Sequence, residues 1–274
     1  MLNNGWQKSN EHVWVKSEQF DPSDISWPVD SYDQNEYQEN YWSKSRADLI
    51  IKTCKNLGIN QLLEIGSGHG NVAIPLTKSS IEITALEPIL SGAIQTAKKG
   101  ITTINGSLDS ILQVNLTFPA IGVFDVLEHT KEPIQFLRKL RNKLSEGGVV
   151  IVTVPSHNWL FSDFDIAIGH FKRYTKKKLR NEMQEAGYQE IFSRYFFVSL
   201  VPIAFLFRRI PYLLGRRRHF TGKSGVKEGI VKATRLNKVL DSVLYRILKV
   251  DSKLKLSVGL SLLAVYKKSQ KLPL

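Results

Sequence analysis

The sequence predicts an α/β fold built on a doubly wound parallel sheet, and three observations carry that prediction. Apolar runs recur at residues 61–65, 81–86, 101–104, 120–125 and 148–154, with helix-like segments between them. Several of these runs are nearly continuous in Val, Ile and Leu, as strands covered on both faces are. The first ends in a glycine turn, Gly66-Ser67-Gly68-His69-Gly70, with a helix starting behind it.

Taken in order, residues 1–35 are polar, are interrupted by Asp21-Pro22 and Trp27-Pro28, and read as an irregular N-terminal extension. Their aromatics (Trp6, Trp14, Phe20, Trp27, Tyr32) suit a segment that docks on something and is not a free tail. A helix is expected over 36–57, with Cys54 in its apolar pattern. Leu62, Leu63 and Ile65 form the first strand, and Glu64 sits in it. Gly66, Gly68 and Gly70 then remove side chains where the backbone must turn sharply and a ligand could approach. The spacing is G-x-G-x-G; a dinucleotide fingerprint needs a glycine at position 71, which is Asn71. The second strand ends in Glu87-Pro88. Glu87 lies 21 residues after Gly66, where Rossmann-like sites place a carboxylate for ribose hydroxyls; an ordinary surface glutamate is the alternative. Asn105-Gly106-Ser107-Leu108 follows the third strand. The fourth carries Asp125, Leu127, Glu128 and His129 to its carboxyl end, the ligand-binding edge of open α/β sheets. A helix over 136–144 and the turn Gly147-Gly148 lead into the fifth strand. Gly169-His170-Phe171-Lys172-Arg173-Tyr174-Thr175 precedes a helix that ends at Gly187. Residues 188–197 form a sixth strand, whose natural antiparallel partner is 260–266.

These segments together resemble the class I S-adenosylmethionine (SAM) methyltransferases. Glu64 with the glycine turn resembles their first motif. Asp-Val-Leu-Glu-His, a helix, Gly-Gly and a strand ending in Val-Pro resemble the subgroup of ubiquinone- and biotin-pathway enzymes. Gly-His-x-x-Arg-Tyr-Thr narrows the resemblance to a branch associated with cell-surface glycan or lipid pathways, in which Trp42 and Arg46 also fit. It covers roughly residues 40–190. It implies a Rossmann-like sheet of seven strands in the order 3-2-1-4-5-7-6, SAM as cofactor, and the N-terminal extension as a lid. It further implies that Gly66, Gly68 and Gly70 lie against the methionine and ribose, Glu64 helps hold the methionyl amino group, and Glu87 binds the ribose. Ser107 and Leu108 would face adenine, although many relatives carry Asp where Ser107 stands. Asp125 and Leu127 would lie beside the methionyl end.

Histidine is the side chain best poised as a base near neutral pH, so His129 and His170 are the candidate catalytic residues. Either could instead pin its own loop. Arg173 and Tyr174 are candidate substrate contacts. Neither an H-E-x-x-H motif nor a Cys/His cluster is present, so no metal is expected.

About 60 residues separate the last two strands, far more than a hairpin needs. This insertion opens with Tyr195 to Phe207, uncharged and too short to span a bilayer. Arg208-Arg209 and Arg216-Arg217-Arg218 flank its next apolar stretch, a pattern that suits an in-plane membrane anchor or a buried segment with solvated edges. Leu236, Val239, Leu240, Val243, Leu244, Ile247 and Leu248 form an amphipathic stripe, read as core or dimer contact ahead of membrane. Charge is uneven: residues 1–150 hold 14 Lys and Arg against 17 Asp and Glu, whereas 151–274 hold 24 against 8. The basic half points to an anionic surface. Without a base-amino methylation motif or an RNA-binding module, nucleic acid is not expected as a partner.

Four parts follow: the extension or lid (1–35), the SAM-binding domain (36–197), the basic helical insertion (198–256) and the last strand with a tail (257–274). The expected activity is O-methylation of a lipid-linked or glycan-related acceptor at the cytoplasmic membrane face. The polar first ten residues suit a cytoplasmic, peripheral protein. Methylation of a soluble small molecule, or a non-catalytic SAM-fold protein recruited to a membrane or partner, are the alternatives. The oligomeric state stays open.

Overall fold

The structure, a computed structural model, describes residues 6–8, 13–16, 39–216, 238–251, 254 and 256–269. Most of the expected lid, Arg217 and Arg218 of the insertion, and Leu236 of the amphipathic stripe lie outside the described residues. The strands are β1 (Trp6–Lys8), β2 (Val13–Lys16), β3 (Gln61–Ile65), β4 (Glu82–Glu87), β5 (Thr102–Asn105), β6 (Phe118–Phe124), β7 (Leu144–Pro155), β8 (Tyr188–Phe196) and β9 (Ser261–Lys268). Among the described residues they join in one sheet, ordered β1-β2-β5-β4-β3-β6-β7-β9-β8. The run from β5 to β8 is the predicted seven-stranded order. Its first five strands are parallel, and β9 inserts antiparallel between β7 and β8.

One expectation needs correcting. The N-terminal extension is not wholly irregular, because β1 and β2 pair antiparallel and β2 adds parallel to β5. Strands of three and four residues are too short for period-2 alternation to register in sequence.

Side chains alternate between the two faces of the sheet, and each face has its own core. Leu63, Ile65, Val150, Val152, Leu262 and Ala264 pack on one side with Leu137 and Leu140 of α5 (Pro133–Arg141) and Leu179 and Met183 of α7 (Lys176–Glu185). Leu62, Ile151, Leu263 and Val265 pack on the other with Leu49, Ile50 and Cys54 of α1 (Tyr41–Asn56) and Ile74 and Leu76 of α2 (Ala73–Lys78). Helix α1 starts at Tyr41 because Asn40 caps it, its side chain accepting from the Trp42 and Ser43 N–H groups at 3.0 Å.

The insertion packs where β8 ends. Gly259, just before β9, lies so close to β8 that a Cβ there would stand 2.5 Å from the Phe196 carbonyl oxygen and 2.8 Å from its nitrogen. Backbone cannot swing aside as a side chain can. Gly259→Ala is therefore expected to destabilise the fold by about 1–3 kcal/mol in denaturant unfolding, as overpacking does. An unchanged transition midpoint would show that the two segments separate freely.

Candidate active site

The glycine turn connects β3 to α2 at the carboxyl edge of the sheet. Gly66, Gly68 and Gly70 all have positive φ (72°, 56° and 80°), which L side chains rarely adopt. A Cβ on Gly66 would also come within 3.0 Å of Val126 Cγ2. The Gly66 N–H donates to Leu86 O at 2.7 Å, tying the turn to the end of β4. Glu87, at that end, closes the turn from below: its Oε2 accepts from Gly68 N at 2.7 Å and its Oε1 from Ile89 N at 3.0 Å. Each carboxylate oxygen keeps a second lone pair for a hydroxyl donor. After β5, Ser107 caps α4 (Leu108–Leu112), and the Leu108 side chain is buried.

Across the turn, Arg46 on α1 pairs with Asp125 at the end of β6. Asp125 has a left-handed backbone (φ 56°), which Asp tolerates better than most residues. Thr153 of β7 holds it from two sides, accepting from its N–H at 2.9 Å and donating to Oδ1 at 3.0 Å. Leu127, two residues on, is turned fully into the core. Three buried polar atoms around this turn carry no protein partner: Glu64 Oε2, Ser67 Oγ and Arg46 Nε. Burial pushes the Glu64 carboxyl up to about 8, against the pull of Arg46, and pushes Glu87 up to about 7.

Beyond Asp125, Glu128 and His129 meet His170, which approaches from the loop after α6 (Asp163–Ala167). The two imidazoles meet edge to face, with ring centroids 4.8 Å apart. His170 Nε2 lies 3.8 Å from Glu128 Oε1, and neither Glu128 oxygen has a hydrogen-bond partner. Burial, reinforced by the charge of Asp125, holds the Glu128 carboxyl well above the usual carboxylate range. His129 donates through Nδ1 to the Gly169 carbonyl at 3.1 Å, and burial together with His170 lowers it to about 4. His170 is backed differently: its Nδ1 lies 2.9 Å from Asp165 Oδ1. Glu128, His129 and His170 place one potential ligand atom each within 4.8 Å of the others, a grouping that could take a cation as well as share protons.

A family model described as a methyltransferase domain matches residues 35–191, more than half of the chain. The chain belongs to the class I methyltransferases. The mitochondrial ubiquinone biosynthesis O-methyltransferase of Schizosaccharomyces pombe is 28% identical over 109 residues, which cover 36% of this methyltransferase and 39% of that protein. The match thus spans less than half of the relative's length. A SAM-dependent methyltransferase of Thermotoga maritima, described as a possible histamine N-methyltransferase, superposes with TM-score 0.51 at 16% identity, covering 82% of this chain and 89% of that one. A SAM-dependent methyltransferase of Archaeoglobus fulgidus gives 0.51 at 15% identity, with 82% and 96% covered. At such identities the likeness is one of fold.

SAM is the cofactor of this family, and the residues present fit it. A methionyl end needs an acceptor for its ammonium and a donor for its carboxylate. Glu64 Oε2 and Arg46 Nε are orphaned beside the turn and supply one of each. Gly66 leaves the space that a side chain would fill against Val126.

The structure departs from the sequence reading at the Gly-His-x-x-Arg-Tyr-Thr motif. Arg173 is 4% exposed, and Tyr174 is fully buried. The Tyr174 hydroxyl bonds Glu182 Oε2 at 3.1 Å, and the Arg173 guanidinium is taken up by Asp165. Both residues expected to touch substrate are thus turned inward onto protein partners. Asp165, which the sequence reading passed over, is the residue they leave at the centre. Its one local signal is the capping-box spacing Ser162-x-x-Asp165 at the start of α6.

Proposed function

We propose that this methyltransferase transfers the methyl of SAM to an oxygen of a lipid-linked or glycan-related acceptor at a membrane surface, with His170 as the general base. Glu64, Arg46 and Asp125 hold the methionyl end, Gly66, Gly68 and Gly70 let the backbone lie against it, Glu87 takes the ribose, and Ser107 and Leu108 border adenine. Bound SAM supplies an electrophilic methyl: the acceptor oxygen gains it, the carbon–sulfur electron pair stays on sulfur, and the acceptor proton leaves to a base. Asp125 and Arg46, the pair beside the glycine turn, both act on Glu128, against which His170 packs, so the histidine adjoins the methionyl end.

The observation that carries the membrane part is the insertion's surface. It runs through α8 (Val201–Ala204), a π-helical turn over Phe205–Arg209 and α9 (Ile210–Leu213). Ile203, Leu206, Phe207, Leu213 and Leu214 are all exposed, Phe207 by 63% and Leu214 by 66%. The same segment abuts the loop that leads to Asp165: Arg208 lies over the Phe164 ring at 4.2 Å, and Arg209 donates to Phe161 O at 2.6 Å. Nearby, α10 (Lys238–Asp251) rests on α1 with Leu248 buried, while Val239, Leu240, Val243 and Ile247 stay exposed. The stripe expected to be core is therefore only partly so. Tyr41 N donates to Asp241 Oδ1 at 2.8 Å, which ties the start of α10 to the start of α1. Among the described residues no helix is long and apolar enough to cross a membrane. Exposed apolar side chains flanked by arginines suit in-plane binding, with each basic residue near an anionic surface worth about 1 kcal/mol.

Vesicle flotation tests the surface. The protein is expected to float with vesicles containing phosphatidylglycerol, less with neutral ones, and not after Phe207→Ser with Leu214→Ser. Absence of flotation with either vesicle sinks the membrane reading. Radiolabelled SAM tests the acceptor: label is expected in the lipid phase of a membrane extract. Label confined to the water-soluble pool would favour a soluble acceptor.

A further inference from the structure

We infer that Asp165 is a positioning residue for methyl transfer, holding His170 with Nδ1 protonated so that Nε2 presents its lone pair to the acceptor. The inference rests on the reading of His170 as the base and extends it to a residue that touches neither cofactor nor acceptor.

Asp165 is fully buried, yet four N–H groups converge on it. Arg173 Nε donates to Oδ1 at 2.7 Å and Arg173 Nη2 to Oδ2 at 3.1 Å, a two-pronged clamp. Ser162 N donates to Oδ2 at 3.0 Å. His170 Nδ1 completes the set at 2.9 Å from Oδ1. Burial opposes ionisation of Asp165, but the bonds and charges of His170 and Arg173 outweigh it, and its carboxyl lies below the usual range. An ionised carboxylate only accepts, so the hydrogen must be on His170 Nδ1. In the neutral ring Nε2 is then the basic nitrogen.

The clamp also fixes direction. Arg173 is anchored a second time through Nη1 to the Ser156 carbonyl at 3.3 Å, just past the end of β7. The His170 backbone N–H donates to the Asp165 carbonyl at 2.8 Å, so ring and main chain are held by the same residue. Nε2 is left facing Glu128 and His129. The Glu128 Oε1 stands 3.8 Å from Nε2, beyond hydrogen-bond reach, so Nε2 is not taken up by that carboxyl. A carboxylate behind an imidazole that sets its tautomer is an arrangement that base catalysis uses on unrelated folds. It gives the buried Arg173 a role and explains the spacing of His170 and Arg173 in the Gly-His-x-x-Arg motif.

The first test is long-range ¹H–¹⁵N NMR of the whole chain with ¹⁵N-labelled histidine, His170 being assigned by its loss in His170→Gln. The expected pattern is a protonated Nδ1 and an unprotonated Nε2, lost or mixed in Asp165→Asn. A wild-type ring protonated on Nε2 overturns the inference, whether or not the variant folds.

The second test is methyl transfer from tritiated SAM to a membrane lipid extract by Asp165→Asn, His170→Ala and the double variant. Each single change is expected to lower kcat about 100-fold or more, with SAM affinity within about threefold of wild type. The double variant should be no slower than His170→Ala, because the two residues act as one unit. Full activity of Asp165→Asn, or losses that multiply in the double variant, would overturn the positioning role and leave the base in place. An active His170→Ala would remove the base reading, and the inference with it.

Discussion

Glu64→Gln is expected to make the apo protein more heat-stable at pH 8 and SAM binding at least about 30-fold weaker, the loss typical of truncating one partner of a buried charge pair. Both effects have one source. Glu64 is buried, lies near Arg46 and Glu87, and its carboxyl is pushed up to about 8. Its folded value therefore lies above its unfolded value, and between the two the native state binds the extra proton. The contribution to stability is complete below the unfolded value and is lost as pH rises toward 8. Glutamine keeps the shape without titrating. The variant should match wild type near pH 5 and exceed it progressively to pH 8, by several degrees in Tm. With the ammonium of SAM beside it, however, Glu64 is wanted ionised, and glutamine offers only a neutral oxygen. Thermal unfolding with and without SAM across that pH range separates the two effects. A wild-type Tm that rises from pH 5 to 8 in parallel with the variant's would show that Glu64 is already ionised in the apo fold. Unaltered SAM affinity would remove it from the methionyl site.

The same trade of stability for binding explains how much could be read from the sequence. Glu64, Gly66, Gly68, Gly70 and Glu87 lie within 24 residues, in strand–turn–helix–strand order, so their spacing encodes their geometry. Core strand order was legible only through the resemblance to the class I methyltransferases, because local crossovers do not say on which side of its neighbour each strand is laid. The acid–base cluster is different. Glu128 and His170 are 42 residues apart, and Asp165 is brought to His170 by one turn of helix and a loop with no apolar periodicity. Spacing alone could not choose between contact with substrate and an inward turn for Arg173, whose charge is compensated only in three dimensions by Asp165. The insertion was legible as basic and apolar. Which face it buries was not, because the stripe on α10 has the same period whether it is core or surface.

His170→Ala is expected to lower kcat about 100-fold or more, the usual scale of a lost general base, whereas His129→Ala should cost less than about threefold. Sequence alone gave the two histidines equivalent standing; their partners separate them. His129 donates to a carbonyl oxygen, a neutral acceptor, and burial with the neighbouring ring lowers it to about 4. Such a ring is neutral at working pH but a weak base, with little driving force to take a proton from a hydroxyl. His170 has behind it the Asp165 carboxylate, clamped by Arg173, and in front only the Glu128 carboxyl at 3.8 Å. His129→Ala would instead loosen the loop at Gly169 and cost stability more than turnover. The pH dependence of kcat gives an independent reading, because an acid limb near pH 4 would mark His129 as the base. That limb, or a His129→Ala enzyme as slow as His170→Ala, would reverse the assignment. If instead His170→Ala loses turnover while its SAM affinity is kept, the defect lies in proton removal, the step that distinguishes an O-methyltransferase from a protein that only holds its cofactor.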